Sequence, residues 1–433
     1  MVRIAGHGEE CADGRQGHRS RFRRSSEIAN CLDREHPTVR TQRDIRIAIV
    51  GAGIGGLTAA IALAQRGIDA QLYEQAQALR EVGAGIGLGP NAMKILRALG
   101  IEASITPFGL IPEKIVGRDW ITAGVLFTVP VGTAASSRYG AANVNLHRAD
   151  LHAALVARIP PERIHLNRLC VAVDPKGGEA ELVFRDGHRE SVDLVIGCDG
   201  LNSRIRASLH GPEAPRFTGN TAWRALVPVE NLPARFVSAE MNLWRGKGGH
   251  ILTWYLPKRQ VVNLVAIRAT ADWTSESWSA AADRDELLTM FPEVHPDLRA
   301  LFAQAEHCFK WGLFDRDPLT RWNSQCITLL GDAAHPMLPF LGQGAAMAIE
   351  DAYVLARELA ASEGNISAAL SSYEAKRIPR TARVQIASRK EGEILHDGYL
   401  PPGDEAAPGA GFAAQYLPGF NRDWLYEYDA GAT

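Results

Sequence analysis

The pattern of apolar and polar positions divides the chain into two kinds of segment. Ile45–Val50, Leu194–Gly197 and Ile327–Leu330 are short apolar runs, each leading into a glycine-containing turn, and such runs are typical of strands buried on both faces of a parallel sheet. Residues 217–268 instead alternate between apolar and polar positions, with turn signals between the runs, which predicts an antiparallel meander. We therefore expect an α/β protein with an antiparallel sheet inserted between the parts of a parallel one.

The first apolar run opens a nucleotide-binding motif. Gly51, Gly53 and Gly56 follow it with the spacing G-x-G-x-x-G, residues 57–66 have the pattern of a helix, and a second short strand ends at Glu74. The three glycines permit a tight turn, close approach of a pyrophosphate and close helix–strand packing, while the helix N-terminus offers free N–H groups to the phosphates. Glu74 is placed to accept hydrogen bonds from ribose hydroxyls. Together these features predict a Rossmann-like domain, although the motif does not separate NAD from FAD.

A glycine-dense loop follows this unit. Residues 79–92 contain four glycines at alternate positions, Gly85 among them, and glycines permit the close approach of a flat ligand. The apolar content of the loop disfavours a flexible linker, because such linkers are polar.

Two later strands lead into acidic residues. Asp199 and Asp332 stand just beyond buried runs, at the strand ends where open α/β sheets bind ligands. A carboxylate at Asp332 can hold sugar or ribityl hydroxyls. Gly342, Gln343 and Gly344 then place backbone N–H groups at the start of a helix, which suits the edge of a flavin ring that becomes negative on reduction. Each motif alone is also typical of a plain turn, but the three in this order predict a bound flavin nucleotide.

Composition narrows the class of protein and partner. The 433 residues are 46% hydrophobic and 22% charged with a formal net charge of −2, which excludes a disordered, collagen-like or disulfide-stapled chain and disfavours a nucleic-acid partner, since such binders carry a basic excess. The six cysteines form no C-x-x-C pair, as expected for thiols in a reducing cytoplasm and not for a metal site. Glycines interrupt the apolar stretch 47–64, so we interpret it as strand, turn and helix and not as a membrane span.

Shifts in composition suggest the division into domains. Residues 1–44 combine an arginine cluster with acidic residues that nearly balance it, and we expect a disordered extension there. The predicted division is a discontinuous FAD-binding domain at 45–120, 145–215 and 317–390, an inserted substrate domain at 121–144 and 216–316, and a C-terminal extension at 391–433. Helices are expected toward the C-terminus. Because only one G-x-G-x-x-G is present, a flavoenzyme with a second Rossmann domain for NADPH is disfavoured.

With its three motifs in this order, the sequence resembles the class A, single-component flavoprotein monooxygenases of the para-hydroxybenzoate hydroxylase family, over about residues 45–390. It is most similar to the branch of salicylate hydroxylase and 3-hydroxybenzoate 6-hydroxylase, through the strings VGAGIGLGPNA, NLHRADLHAAL, TAWRALVP, GDAAHPMLPFLGQGAAMAIEDA and DWLYEYDA. The resemblance implies FAD, NADH or NADPH, and O2, with oxygen passing to the substrate through a flavin C4a-hydroperoxide. It also implies that Arg148 contacts FAD, and it suggests a homodimer.

The substrate side offers three candidate catalytic residues. His250 shares one face of a predicted strand with Trp254, and a histidine near the flavin could help to deprotonate a phenol; a packing role in the sheet is the alternative. Arg224, on a neighbouring strand, can bind a carboxylate bidentately or can pair with an acid on the sheet surface. Pro336 lies in the segment that the resemblance places beside the flavin ring.

The motifs and the resemblance together predict a function. We expect an FAD- and NAD(P)H-dependent monooxygenase that hydroxylates a small aromatic hydroxy acid, with salicylate as the leading candidate, in the cytoplasm and without nucleic-acid or membrane partners. One alternative is a related flavoenzyme that hydroxylates or epoxidises a larger lipid, polyketide or isoprenoid. Others are a flavin-binding or redox-sensing protein without enzymatic activity, and a nicotinamide-dependent dehydrogenase, which would be colourless when purified.

Overall fold

The secondary structure follows the predicted pattern along most of the chain. The structure, a computed structural model, describes residues 45–79, 84–270, 280–397 and 422–432. The extension predicted at residues 1–44, part of the glycine-dense loop and much of the C-terminal extension lie outside the described residues.

The strands and helices are numbered in chain order. The strands are β1 (Ile47–Val50), β2 (Gln71–Tyr73), β3 (Gly85–Leu88), β4 (Lys114–Asp119), β5 (Val125–Pro130), β6 (Val144–His147), β7 (Ile164–His165), β8 (Cys170–Lys176), β9 (Glu179–Phe184), β10 (Arg189–Val192), β11 (Leu194–Gly197), β12 (Arg216–Pro228), β13 (Glu240–Gly246), β14 (Gly249–Leu256), β15 (Val261–Ala269), β16 (Ala280–Ala282), β17 (Cys308–Asp315), β18 (Asn323–Ser324) and β19 (Ile327–Leu329). The α-helices are α1 (Ile54–Ala64), α2 (Pro90–Ala98), α3 (Glu102–Ile105), α4 (Gly132–Tyr139), α5 (Arg148–Val156), α6 (Arg204–His210), α7 (Arg284–Met290), α8 (Pro296–Ala303), α9 (Gly344–Ala361), α10 (Ile366–Asp397) and α11 (Asp423–Tyr426).

A six-stranded sheet carries the nucleotide-binding motif. Its strand order is β18-β19-β11-β1-β2-β7, and neighbouring strands are parallel except at the β18–β19 pair. All four residues of β1 are buried, as its continuous apolar run requires in a sheet covered on both faces. The unit β1-α1-β2 is the predicted Rossmann-like unit, and α1 packs against α9. The predicted α/β fold class is confirmed.

An eight-stranded sheet forms the inserted part, in the order β16-β17-β12-β15-β14-β13-β4-β5. Trp223, Trp244 and Ile251 lie on the face that packs with α7 and α8, whereas Trp254 and Val265 belong to the opposite face. This alternation is the period of two that the sequence shows. The second face is turned toward the nucleotide-binding part of the molecule.

The short β3–β6 ladder joins the two parts. The backbone N–H of Gly85 donates to Oδ1 of Asn263 in β15 at 2.7 Å. A Cβ atom at Gly85 would lie 2.6 Å from the Asn263 side chain and 2.7 Å from the Trp254 ring. Glycine is therefore required here because the ladder approaches the eight-stranded sheet too closely for a side chain.

The inserted sheet differs from the predicted division in its details. β4 belongs to this sheet, although its residues were grouped with the FAD-binding segments, and it pairs with β13 in parallel. Residues 121–144 contribute one strand, β5, and the helix α4. The division into domains stays a prediction. Among the helices of the described ranges, none is both long and apolar enough to cross a membrane.

We predict different stability effects for two alanine substitutions in the glycine turn. At Gly56 a Cβ atom would lie 2.0 Å from the carbonyl oxygen of Gly51, whereas at Gly53 it would meet no atom within 4 Å. Gly56→Ala should therefore lower the free energy of unfolding by about 1–3 kcal/mol through overpacking, and Gly53→Ala should change it by less than about 0.5 kcal/mol. Urea unfolding of both variants measures this difference, and equal unfolding midpoints would contradict it.

Candidate active site

Three loops that follow neighbouring strands meet at one edge of the six-stranded sheet. β1, β11 and β19 are adjacent and parallel, so their carboxyl ends lie side by side. Gly51 follows β1, Asp199 lies just beyond β11, and Asp332 lies just beyond β19. The sheet thus brings together three motifs that are far apart in sequence, at the edge where open α/β sheets bind ligands.

The turn after β1 has the geometry of a phosphate site. Gly51 has a φ of +107°, and a Cβ atom there would lie 2.4 Å from the carbonyl oxygen that follows β11. The Glu74 carboxylate accepts hydrogen bonds from the backbone N–H groups of Ala52 and Ala76, both at 2.8 Å. Gly53 faces open space at the N-terminus of α1, which fits a pyrophosphate. The ribose contact of Glu74 stays a prediction.

Asp332 faces a cavity and not the outer surface. Its side chain is accessible to solvent and lies among the cavity-lining residues. Burial on its other sides raises the pKa of the Asp332 carboxyl, while His335 and Arg148 act in the opposite direction. A carboxylate that faces a cavity in this way is suited to accept hydrogen bonds from the hydroxyls of a ligand.

The start of α9 points its backbone into the same cavity. Gly342 has a φ of +63° and Gly344 is the first residue of the helix. The Gln343 side chain is buried, and its amide oxygen accepts a hydrogen bond from Nδ2 of Asn91 at 3.0 Å. Because Gln343 is fixed from behind, free N–H groups of an 18-residue helix face the cavity, as the edge of a flavin ring would require.

Asp199 acts within the protein as a helix cap. Its carboxylate accepts hydrogen bonds from the Ser203 hydroxyl and from the backbone N–H groups of Arg204 and Ile205 at the start of α6. Burial raises the pKa of Asp199 against the effect of these hydrogen bonds. Arg206 of the same helix donates to two carbonyl oxygens in the loop after β19, so the second and third motifs are tied together. A cofactor contact of Asp199 stays a prediction.

The cavity in front of α9, which we call the inner cavity, has a volume of about 310 Å³. One wall of the cavity is apolar. Strands β13, β14 and β15 supply Met241, Leu243, Leu252, Trp254 and Val265 to this wall, and the loop after β19 supplies Phe340. Its polar lining includes Arg224, His250 and Asp332. The sheet of the inserted part and the loop after β19 thus enclose one small, largely apolar space with a few polar groups, which is the usual constitution of a small-molecule site.

Arg224 lines the inner cavity and has no counterion among the described residues. It takes part in no ion pair within the described ranges, and its guanidinium carbon lies 4.8 Å from the centroid of the Trp311 ring. Burial, and then the positive charge of Arg148, lower the pKa of Arg224 to about 10. No acid of the described ranges pairs with Arg224, which disfavours the alternative of an ion pair on the sheet surface, and the cavity offers a positive charge to an anion.

The two other candidate catalytic residues have different positions. His250 lines the inner cavity and is 1% exposed; burial, followed by His396 and Arg245, lowers its pKa well below the usual value. Pro336 is buried and does not line this cavity, and its carbonyl oxygen accepts a hydrogen bond from Gln385 at 3.0 Å. The structure therefore keeps His250 as a candidate and does not bring Pro336 to the site.

A cluster of buried charges fixes the loop after β19. Arg377 of α10 donates to Glu350 and Asp351 of α9, both at 2.7 Å, and all three side chains are 0% exposed. Asp351 also accepts hydrogen bonds from the His335 ring and from the backbone N–H of Gly331. Burial alone raises the pKa of Asp351, but His335 and Arg377 outweigh it, so the pKa lies below its usual range.

Sequence reasoning missed the contribution of the C-terminal region. Glu391 of α10 and the residues Arg422 and Tyr426 line the inner cavity. Tyr426 packs so closely on Gly89 that a Cβ atom there would lie 2.7 Å from the ring. The string DWLYEYDA was a sign of family resemblance, but nothing in its pattern indicates a position beside the cavity.

Comparison with known proteins identifies the family. The FAD binding domain family matches residues 44–388. The 3-amino-4-hydroxybenzoate 2-monooxygenase PtnB3 of Streptomyces platensis is 36% identical over 391 residues, which are 89% of this chain and 96% of that protein. The 6-hydroxynicotinate 3-monooxygenase of Bordetella bronchiseptica is 39% identical over 392 residues, with the same coverage of 89% and 96%. A salicylate hydroxylase substrate complex has a TM-score of 0.76 at 27% identity, covering 90% of this chain and 97% of that chain.

The chain therefore belongs to the FAD binding domain family. It is a class A flavin-dependent monooxygenase, with FAD as cofactor and NADH or NADPH as co-substrate. The predictions of family, enzyme class and cofactor are confirmed. The open glycine turn and the helix start of α9, with Asp332 between them, fit the two ends and the middle of such a dinucleotide.

We predict that Asp332→Ala weakens FAD retention while the fold persists. The substitution removes a cavity-facing carboxylate and leaves the charge cluster behind it intact. The fraction of purified protein that carries FAD, measured from the flavin absorbance, should fall at least about tenfold, which is about 1.4 kcal/mol. Asp174→Ala, an exposed position on β8, is the matched control. An unchanged flavin content would remove Asp332 from the cofactor site.

We also predict that Asp351→Asn destabilises the protein by about 3–5 kcal/mol, because it leaves a buried arginine partly uncompensated. Since the pKa of Asp351 is lowered in the folded state, its contribution is full above the unfolded value of about 3.9 and is lost as the pH falls through the folded value. Urea unfolding between pH 3 and 7 should therefore show a smaller loss of stability on acidification for the variant than for the wild type. Parallel curves would contradict the assignment.

Proposed function

We propose that the protein hydroxylates a small aromatic hydroxy acid, with salicylate as the leading candidate, at the expense of NAD(P)H and O2. The observation that carries this proposal is the inner cavity of about 310 Å³, with its apolar wall and the guanidinium of Arg224, which has no ion-pair partner among the described residues. Two of the relatives are named for reactions on an aminohydroxybenzoate and a hydroxynicotinate. Both names describe a single ring that bears a carboxylate and a hydroxyl.

The size of the inner cavity favours a single-ring substrate. Ligand pockets range from about 300 to 1,000 Å³, and this cavity lies at the small end of that range. The edge of a flavin ring at the start of α9 would take part of the space. A larger lipid, polyketide or isoprenoid is therefore less well accommodated.

Arg224 is suited to bind the substrate carboxylate. A planar guanidinium can donate two parallel hydrogen bonds to a carboxylate, and stacking on Trp311 fixes the plane of this one. Burial has removed Arg224 from water without giving it an acidic partner among the described residues, so a bound anion recovers the lost interaction. The apolar wall then receives the ring.

The chain's residues divide the remaining tasks between them. Gly53 and the start of α1 would hold the pyrophosphate of FAD, Asp332 the ribityl hydroxyls, and the start of α9 the ring edge. Bound FAD supplies the redox chemistry that couples NAD(P)H and O2 to hydroxylation. The apolar wall excludes water from the reacting atoms. His250, kept neutral by burial, can accept the proton of the substrate hydroxyl at Nε2.

We extend the proposal to location and assembly. A reaction that draws on NAD(P)H suits the cytoplasm, and the free cysteines of the described ranges, Cys170, Cys198, Cys308 and Cys326, are in keeping with a reducing compartment. The family resemblance favours a homodimer.

The holoenzyme can be tested on a substrate panel. The panel contains salicylate, 3-hydroxybenzoate, 4-hydroxybenzoate, 3-amino-4-hydroxybenzoate and 6-hydroxynicotinate, each with NADH and with NADPH. Oxygen uptake corrected for peroxide, together with product identification by mass spectrometry, should show hydroxylation of at least one compound. A yellow protein that forms a hydroxylated product from none of them would overturn the proposal.

We predict that Arg224→Gln raises the KM of the best carboxylate substrate at least about tenfold, since a bidentate charged contact contributes more than about 1.4 kcal/mol. The matched phenol without a carboxylate should show the same KM with both proteins. Arg224→Lys keeps the charge and should lie between them, because a lysine cannot form the bidentate pair. Equal KM values for the carboxylate substrate would argue against this role, and flavin content reports on folding.

A further inference from the structure

Glu391 of α10 places a carboxyl group at the inner cavity. The residue lines this cavity and is 5% exposed. Among the described residues none donates a hydrogen bond to its side chain. Its ion pair with Arg422 spans 3.8 Å, which is beyond hydrogen-bond distance. Because a polar group buried to this extent is normally hydrogen bonded, the oxygens of Glu391 are left for a ligand.

The charges around Glu391 balance its carboxylate without occupying its oxygens. Burial raises the pKa of Glu391, and the positive charges of Arg422 and Arg245 act in the opposite direction. Arg422 donates a hydrogen bond to the Tyr426 hydroxyl at 3.4 Å, and Arg245 donates one to the carbonyl oxygen of Ile394 at 2.8 Å. In either protonation state a carboxyl group keeps oxygen lone pairs for an N–H or O–H donor. The site is therefore suited to a ligand that brings such a donor.

Glu391 lies beside the apolar wall of the inner cavity. Leu395 follows it by one helical turn, on the same face of α10, and also lines the cavity. Leu395 packs with Leu243 of β13 and Leu252 of β14, and both leucines belong to the apolar wall. Under the proposed function this wall receives the aromatic ring, so Glu391 is placed next to the ring of the substrate.

Arg224 reaches the cavity from another part of the sheet. It lies on β12, whereas α10 packs on β14 and β13, and β15 stands between β12 and β14. Since neighbouring strands are about 4.8 Å apart, two or three strand spacings of roughly 10 to 14 Å separate these parts of the sheet. A ring whose carboxylate binds Arg224 therefore extends toward Glu391 with the end that is far from the carboxylate.

One hydroxyl group on the ring does not fill both acceptors of the cavity. His250 and Glu391 each line it, and the proposed function assigns the reacting hydroxyl to His250. The hydroxyl of salicylate is moreover ortho to the carboxylate and so lies at the end of the ring that Arg224 holds. Salicylate without a further substituent therefore leaves Glu391 without a partner.

We propose that Glu391 is a second binding group for the substrate and accepts a hydrogen bond from an amino or hydroxyl substituent at the end of the ring far from the carboxylate. The proposal rests on the proposed function, which places the carboxylate on Arg224 and the ring on the apolar wall. The substrate class is then an aromatic hydroxy acid with a further N–H or O–H donor meta or para to the carboxylate.

Binding to the oxidised holoenzyme without NAD(P)H tests this contact apart from turnover. The ligands are derivatives of salicylate, or of the monohydroxybenzoate that binds most tightly, with an amino, hydroxyl or methyl group at each free position meta or para to the carboxylate. Titration of the flavin difference spectrum gives each Kd. At one of these positions the wild type should bind the amino or the hydroxyl ligand at least about tenfold more tightly than the methyl ligand, because methyl leaves a buried carboxyl without a partner.

Matched variants separate this contact from a structural role of Glu391. Glu391→Leu should reduce the preference to within about twofold and should bind the methyl ligand at least as tightly as the wild type, because it no longer buries an unfilled carboxyl. Glu391→Gln keeps the shape and one acceptor oxygen, and it should reduce the preference at least about threefold. Glu393→Leu, at an exposed position of the same helix, should keep the wild-type preference.

Equal Kd values for the amino, hydroxyl and methyl ligands in the wild type would overturn this second contact and leave the proposed function standing. An unchanged preference in Glu391→Leu would do the same. If Glu391→Leu loses the methyl ligand as well, the cavity itself is damaged, and an unchanged preference in Glu391→Gln is then the result that overturns the contact. Failure of the proposed function is measured separately, as the absence of a hydroxylated product across the substrate panel.

Discussion

The contact between Arg377 and the adjacent carboxylates Glu350 and Asp351 is the interaction on which the site depends most. All three side chains are fully buried, so neither carboxylate can turn to water if the arginine is lost, and removal of one partner from such a pair is strongly destabilising. The Asp351 carboxylate also accepts hydrogen bonds from the His335 ring and from the backbone N–H of Gly331. The position of the loop that presents Asp332 is therefore set from behind, by charge.

The same carboxylates also hold the far end of the chain. Glu350 accepts hydrogen bonds from Asn91 at 2.7 Å and from Arg380 at 2.6 and 2.7 Å. Arg380 in turn donates to carbonyl oxygens of α11 and stacks on the Tyr428 ring at 3.8 Å. Because α11 supplies Tyr426 to the inner cavity, one buried charge cluster fixes both the flavin side and the C-terminal wall. This explains how a helix of four residues, too short to be stable alone, keeps a defined place.

The sequence predicted those site residues whose position is determined by neighbouring residues in the chain, and not those whose position is determined by tertiary packing. The glycine turn, Glu74 and Asp332 could be located because strand, turn and helix signals lie within a few residues of one another, and the alternation along β14 correctly predicted that His250 and Trp254 share a face. The cavity residues Glu391 and Tyr426 could not be located, since only tertiary packing brings α10 and α11 to the sheet. Pro336 shows the opposite failure, because adjacency in sequence to a site loop did not bring it to the cavity.

Burial disfavours the charged forms of four ionisable groups that line the inner cavity, and this constrains what can bind there. Burial raises the pKa of Asp332 and Glu391 and lowers the pKa of Arg224 and His250. Burial is the largest cause of each of these four shifts, although the Glu391 carboxylate also lies 3.8 Å from the Arg422 guanidinium. Under the proposed function a carboxylate substrate supplies the partner for Arg224, so the charge pairing offsets the cost of desolvating both groups. The same burial that disfavours the charge of the free guanidinium therefore makes the cavity selective for an anion.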